Sequence, residues 1–371
     1  MIELIKFELK KIFKNKGLYI AALAVFIFIA GIDIVRYIEF KDDIGTREEV
    51  QEIAENYLSD KYSKKDIEEI RTKAVEKIHN NEELTKEEYF LNAYIRCLEK
   101  NDSKNIDNNL KFIDEKLSEM DNDRDRNTYQ YNSLTKQKEL LEKMPEKESI
   151  YIGDWHKVLD FNVAATMKIL LLTLGLAGIF SKEYSTGVSY LNLSSKNGKT
   201  KLNIAKIISV IIYSTLVFAF VTVLNLISTL YLGLPNGDKP VSFIINSFYD
   251  LSINQYYLGT LAFSYLGTLV FGIIIALTSL LTKNIIAGFI IPITLYLLPQ
   301  FVRFTGSFGY LWDNINLSQI FSGKNILAEY ADFNILGNAV TYPYVISFIS
   351  ILSIIVMIIV YMSFGKKQKI A

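Results

Sequence analysis

Apolar runs long enough to cross a bilayer constrain this chain more than any other feature. An α-helix rises about 1.5 Å per residue, so about 30 Å of hydrocarbon takes roughly 20 residues. Six stretches reach or approach that length: 17–38, 163–180, 204–232, 258–281, 285–302 and 344–364. The second is short and contains Lys168. The fifth carries Pro292 and Pro299, which should kink it or end it early, because proline removes a backbone donor. The first run has basic flanking residues, but it is long and lacks a small-residue cleavage site, so it reads as a retained span. No strand-like alternation or internal repeat accompanies these runs. The expected fold is an all-α membrane protein with six transmembrane helices and a helical extracellular insertion between the first and second.

Charge divides along the same lines. The chain of 371 residues holds 40 Lys/Arg and 40 Asp/Glu, but 39–160 alone holds 21 of the former and 31 of the latter. A neutral total therefore hides an acidic, soluble block and a basic, apolar remainder, which implies separate environments. With six spans, one side receives Lys6, Lys10, Lys11, Lys14 and Lys16, the basic loop 181–206, Lys283 and the C-terminal lysines. The short loops on the other side carry only Lys239, Arg303 and Lys324. Lys and Arg concentrate on the cytoplasmic side, so both termini are expected there. The domain plan is then a surface helix over 1–16, the first span over 17–38, an extracellular block over 39–160, five further spans within 161–365, and a basic cytoplasmic tail over 366–371. Frequent Lys, Ile and Asn with only six Pro hint at a bacterial source, and hence the bacterial cell membrane.

The single cysteine, Cys97, rules out an intrachain disulfide, so the outside block must be held by packing. It reads as helical. Thr46–Glu49 and Thr85–Glu88 have capping-box spacing. Ile67, Ile70, Ala74 and Ile78 share one helical face; Ile106, Leu110, Ile113, Leu117 and Met120 form another stripe, and Leu134 and Leu141 could supply a returning helix. Asp121–Asp125 has a calcium-loop look, but Arg126 and Asn132 stand where such a loop needs Gly and Glu. His79 and His156 lack metal-ligand spacing, so no metal site is expected.

At the N-terminus, Ile2, Ile5, Leu9, Ile12 and Phe13 share a face and Lys6, Lys10 and Lys14 another, the pattern of a helix lying in a membrane surface. It reads equally as a simple anchor or as a lever on the first span. Asp33, Arg36 and Lys168 are the charges within spans. They are read as a structural pair of Asp33 with Lys168, with ion or substrate contact the competing reading.

The loop after the second span is FSKEYSTGVSYLNLSSKNGKTKLNIAK. Glu183 follows the span, Thr186-Gly187 comes next, then the segment Leu191–Ser195, a Lys196-Asn197-Gly198 turn, and Lys206 at the opening of the third span. This order resembles the ABC-2-type transporter permeases, where an acidic residue, a Gly-Thr-like pair, a short coupling helix and a basic residue occupy this loop; here the pair stands as Thr-Gly. The basic surface helix, six spans, a large outside insertion and a hydrophobic segment at 303–342 before the last span agree with that family. In the family that last segment forms short re-entrant helices; Phe308, Tyr310 and Trp312 also suit an interfacial aromatic belt. The resemblance covers roughly 1–38 and 161–365, and the sodium-extrusion, bacitracin-resistance and lantibiotic-immunity permeases are its bacterial relatives.

The resemblance implies an exporter subunit that couples to ATPase subunits through Glu183, Thr186, Gly187, Leu191 and Lys206, with a second permease subunit beside it in the bilayer. ATP and Mg would be bound by the partner, since no G-x-x-x-x-G-K-[ST] loop occurs here, and no cofactor of its own is expected. No nucleophile–base motif is present either, so an enzyme is not expected. No nucleic-acid partner is expected. Two other classes compete: a membrane-anchored sensor acting through its outside block, and an intramembrane enzyme or ion-driven carrier, which the shortage of buried acidic residues and His in the spans disfavours.

Overall fold

The computed structural model describes residues 1–43, 45–57, 64–80, 82–91, 104–120, 128–145, 150–194, 200–227 and 232–367. Cys97, the Asp121–Asp125 run and the Lys196–Gly198 turn lie outside the described residues.

The chain is mostly helical. A surface helix, α1 (Ile2–Phe13), leads into α2 (Lys16–Asp43). The insertion contributes α3 (Arg47–Tyr57), α4 (Lys64–His79), a helical stretch at 86–91, α5 (Lys104–Glu119) and α6 (Tyr129–Glu142). A short α7 (Trp155–Val158) precedes α8 (Asn162–Leu176), α9 (Ser181–Ser185) and α10 (Val188–Ser194). Then come α11 (Lys201–Ile227), α12 (Ile253–Thr282), α13 (Ile285–Phe301), α14 (Gly306–Asn314), α15 (Leu317–Ser322), the strands β1 (Asp332–Ile335) and β2 (Asn338–Thr341), and α16 (Tyr342–Lys367).

Five helical stretches among the described residues are long and apolar enough to cross a membrane: Lys16–Val35, Trp155–Ser185, Lys201–Ile227, Ile253–Thr282 and Tyr342–Phe364. The fifth expected span is the shorter α13, whose 17 residues extend about 25 Å. Its prolines do not end it; both lie inside the helix, which Asn284 starts by accepting from the Ile286 and Ala287 amides at 2.8 and 3.4 Å. The second and fourth of these are 61% buried over their apolar stretch, against 22% for the first and last. The core is therefore built around α8 and α12, with Leu172, Leu176, Phe271 and Ala276 sealed at its centre. Close approach is possible because small residues face large ones. A Cβ on Gly175 would meet the Tyr213 ring at 2.3 Å, and one on Gly267 would meet the Phe321 backbone at 2.6 Å.

Two features depart from the sequence-based expectation. The second span is not a continuous helix over 163–180. It breaks after Leu176, and Ser279 of α12 closes the break: its hydroxyl accepts from the Phe180 and Ser181 amides at 3.2 and 3.1 Å and donates to the Ala177 carbonyl at 2.8 Å. The segment before the last span is also not purely helical. The short α14 and α15 are followed by a β-hairpin with Asp332 opposite Thr341 and Ile335 opposite Asn338. Its two-residue turn, Leu336-Gly337, has positive φ at both positions, 54° and 88°, which matches the right-handed twist of paired strands.

In the insertion, both capping boxes form. The Thr46 amide donates to Glu49 at 2.6 Å and the Thr85 amide to Glu88 at 2.9 Å, each Glu amide returning a bond to the Thr hydroxyl. Helices α5 and α6 pack as the expected hairpin around Ile113 and Leu141, clamped by Lys138–Asp114 at 2.6 Å. Helix α6 docks on the β-hairpin: Tyr129 donates to the Asp332 carboxylate at 2.9 Å, and Asn132 to the Gly337 carbonyl at 3.1 Å.

Candidate functional site around Glu183

At the end of the bundle that carries α1, three segments distant in sequence converge on one carboxylate. The break after Leu176 turns the chain into α9, which places Glu183 beneath the core at 12% exposure. Lys206, one turn and a half into α11, is fully buried and meets Glu183 at 2.7 Å. Its ammonium also donates to the Ile179 carbonyl at 3.1 Å and lies 4.1 Å from the centre of the Phe180 ring. Lys11 of α1 bonds the other Glu183 oxygen. Asn192 of α10 donates to Glu183 at 3.1 Å.

A second carboxylate completes the cluster. Glu8 is buried and holds Lys11 at 2.7 Å. Burial works to lower the Lys11 pKa, but the carboxylates of Glu183 and Glu8 outweigh it, so its amine is held above the ordinary lysine value. Helix α1 reaches this position by packing on the start of α11, with Ile12 buried and the Ser209 hydroxyl donating to the Ile5 carbonyl at 3.3 Å. The buried face comprises Ile5, Glu8, Leu9 and Ile12, while Ile2 and Phe7 remain exposed. Sequence reasoning counted the isoleucines and missed Glu8, although 5, 8, 9 and 12 follow helical spacing. It also missed Lys11, Asn192 and Ser279; nothing local to those residues marks them.

The remaining loop residues have separate roles. The Thr186 hydroxyl donates to the Lys182 carbonyl at 2.8 Å, and Gly187 at φ 74° makes the left-handed turn that lets α10 start. Nothing lies within 4 Å of a Cβ there. Leu191 is 72% exposed and Tyr190 is exposed beside it, so α10 shows an apolar surface outward while Asn192 ties it to Glu183. The structure thus unites Glu183 with Lys206, holds Thr186 and Gly187 in the turn, and leaves Leu191 free on the surface.

The charges within the spans do not assemble as expected. Lys168 does not pair with Asp33. It is 2% exposed, bonds the Ser264 hydroxyl, and sits 4.8 and 5.4 Å from the centres of the Phe321 and Phe218 rings. The Ser264 hydroxyl in turn donates a hydrogen bond to the Phe321 carbonyl at 2.7 Å. Asp33 instead lines a groove of about 330 Å³ between α2 and α11, with Phe26, Tyr37, Leu224 and Ile227. Along α11, Phe218 and Leu224 are six residues apart, about 9 Å, so the two charges lie at different depths. Arg36 belongs to α2, and its side chain lies outside the described residues. Among the described residues no cluster of three or more His, Cys, Asp and Glu could hold a metal ion.

Helices of this length and apolarity, packed around two buried ones, define the class of multi-pass helical membrane proteins. No known family model matches the chain, and no curated protein matches it.

Proposed function

We propose that this chain is the membrane-spanning permease subunit of an ATP-driven exporter of the ABC-2 type, with the ATPase on a separate polypeptide. The observation that supports this best is the convergence on Glu183. The surface helix α1, the loop helices α9 and α10 and the foot of α11 are joined through one carboxylate and two lysines. A push on the exposed apolar face of α10 would reach α1 and α11 through charge-assisted contacts, which are short and directional. In this reading α13 is the sixth crossing, both termini face the cytoplasm, the insertion is extracellular, and a second permease subunit completes the path for a substrate leaving the cell.

The test is capture of the protein from gently solubilised membranes, with mass spectrometry of what co-purifies. Recovery of a soluble P-loop ATPase from wild type, and its loss from Leu191→Glu, supports the reading. Recovery of no ATPase under conditions that preserve other ABC complexes overturns it in favour of the sensor. Glu183→Ala should retain ATP hydrolysis by the complex and lose export; unchanged export would remove Glu183 from the coupling path.

A further inference from the structure

A groove of about 520 Å³ opens between α1, the end of α8 and the start of α13. That volume is within the roughly 300–1,000 Å³ of small-molecule sites. Its apolar wall is made by Ile12, Leu174, Ile285 and Phe289. Ile285 and Phe289 lie in the first two turns of α13, and Leu174 is in the last turn of α8. The groove therefore sits where the spanning helices end, at head-group depth, and its wall continues into the exposed apolar surface of α13 at Ile286 and Ile290.

The polar lining has a definite sign. Lys14 and Lys182 face the groove; both are exposed, and among the described residues neither amine has a side-chain partner. Lys11 also lines it, but is committed to Glu8 and Glu183. The two glutamates are in turn held by Lys11 and Lys206, so the free charge is positive.

We infer that this groove binds the head group of an anionic phospholipid from the leaflet that surrounds α1. The phosphate is placed on Lys14 and Lys182, and the acyl chains run along α13. Basic pockets between spanning helices are suited to such head groups. The groove is too small for a whole lipid, which is why the tails lie outside it. The inference requires only that the helices sit in a bilayer, and it stands or falls independently of any ATPase.

The experiment is native mass spectrometry of the full-length protein reconstituted in nanodiscs of mixed phosphatidylglycerol and phosphatidylcholine, then released. Wild type should retain phosphatidylglycerol in preference to phosphatidylcholine. Lys14→Gln with Lys182→Gln should lower that retention about 30-fold, the effect of two lysines acting near a surface. Both side chains are solvent-exposed, so the fold should survive. Gly178→Leu is the second variant: a Cβ there meets only Lys182 Cβ at 3.7 Å, so a larger side chain fills the groove and should also expel the lipid while leaving every lysine in place. Equal retention of the two lipids, unchanged retention in the double variant, or displacement of the lipid by millimolar inorganic phosphate would each overturn the inference.

Discussion

Glutamine at position 183 keeps the shape of the side chain and removes the charge between two lysines. The consequences for the two are unequal. Lys11 is about one-third exposed and keeps Glu8 at 2.7 Å, so it tolerates the loss. Lys206 is 1% exposed and is left with the Ile179 carbonyl, the Phe180 ring and the more distant Glu8 carboxylate. Removing one partner of a buried ion pair costs about 3–5 kcal/mol, because the remaining charge cannot be rehydrated. The glutamine oxygen still accepts a hydrogen bond, which restores about 1 kcal/mol. Glu183→Gln should therefore destabilise the fold by about 2–4 kcal/mol. Lys206→Met should cost less, about 1–2 kcal/mol, since Glu183 retains Lys11 and Asn192. The double variant replaces the pair by groups without charge and should recover much of the loss. Reversible unfolding in bicelles, run as a double-mutant cycle, measures the coupling. A Glu183→Gln no worse than Lys206→Met, or effects that add within about 0.5 kcal/mol, would refute the argument that Lys206 depends on Glu183.

Four further outcomes are expected. Lys168→Met should make the fold more stable in the same unfolding assay, by about 1 kcal/mol, because a cation deep in a span is costly and, among the described residues, this one has no carboxylate against it. Gly267→Ala should destabilise by about 1–3 kcal/mol, since the new methyl meets the Phe321 backbone rather than a movable side chain. Asp332→Asn should loosen α6 from the β-hairpin by removing the charged acceptor of Tyr129 and Tyr330, seen as faster proteolysis in the insertion. The pKa of Glu49 is lowered, first by the Thr46 amide and then by Lys86. A carboxylate depressed on folding contributes stability above its unfolded value, which is lost as pH falls through the folded one. The start of α3 should therefore lose hydrogen-exchange protection, corrected for intrinsic rates, only below the ordinary carboxylate range.

Hydropathy and helical spacing made most of the helices legible. Runs such as 258–281 and 344–364 recur as α12 and α16 because a long apolar run has few other ways to satisfy its backbone. Their ends were less legible, and the causes are specific. Helix α12 begins earlier than its apolar run because the Ser252–Gln255 capping box starts it in polar sequence. The second span breaks where Ser279, about 100 residues away, supplies the missing partners; no pattern within 163–180 reports that serine. The hairpin was hidden because its turn places Leu336 at positive φ, 97% exposed, where turn rules look for Asn or Gly.

The candidate site shows the same division between local and distant information. Glu183 and Lys206 were found because their order along one loop fits a family pattern, and the structure brings them to 2.7 Å. Lys11 was counted only as one positive charge among many. Its role depends on meeting a carboxylate 172 residues later, and that meeting depends in turn on the helix break that aims α9 toward α1. Lys168 was misjudged for the complementary reason. Opposite charges in neighbouring spans suggest a pair, but α8 turns Lys168 toward α12 and α15, and Asp33 meets α11 near Leu224, away from Phe218. The neighbours of Lys168 are therefore Ser264 and two aromatic rings, and Asp33 belongs to a different groove. Charge pattern identifies which side chains need partners; the face each helix turns to its neighbours decides which partner is within reach.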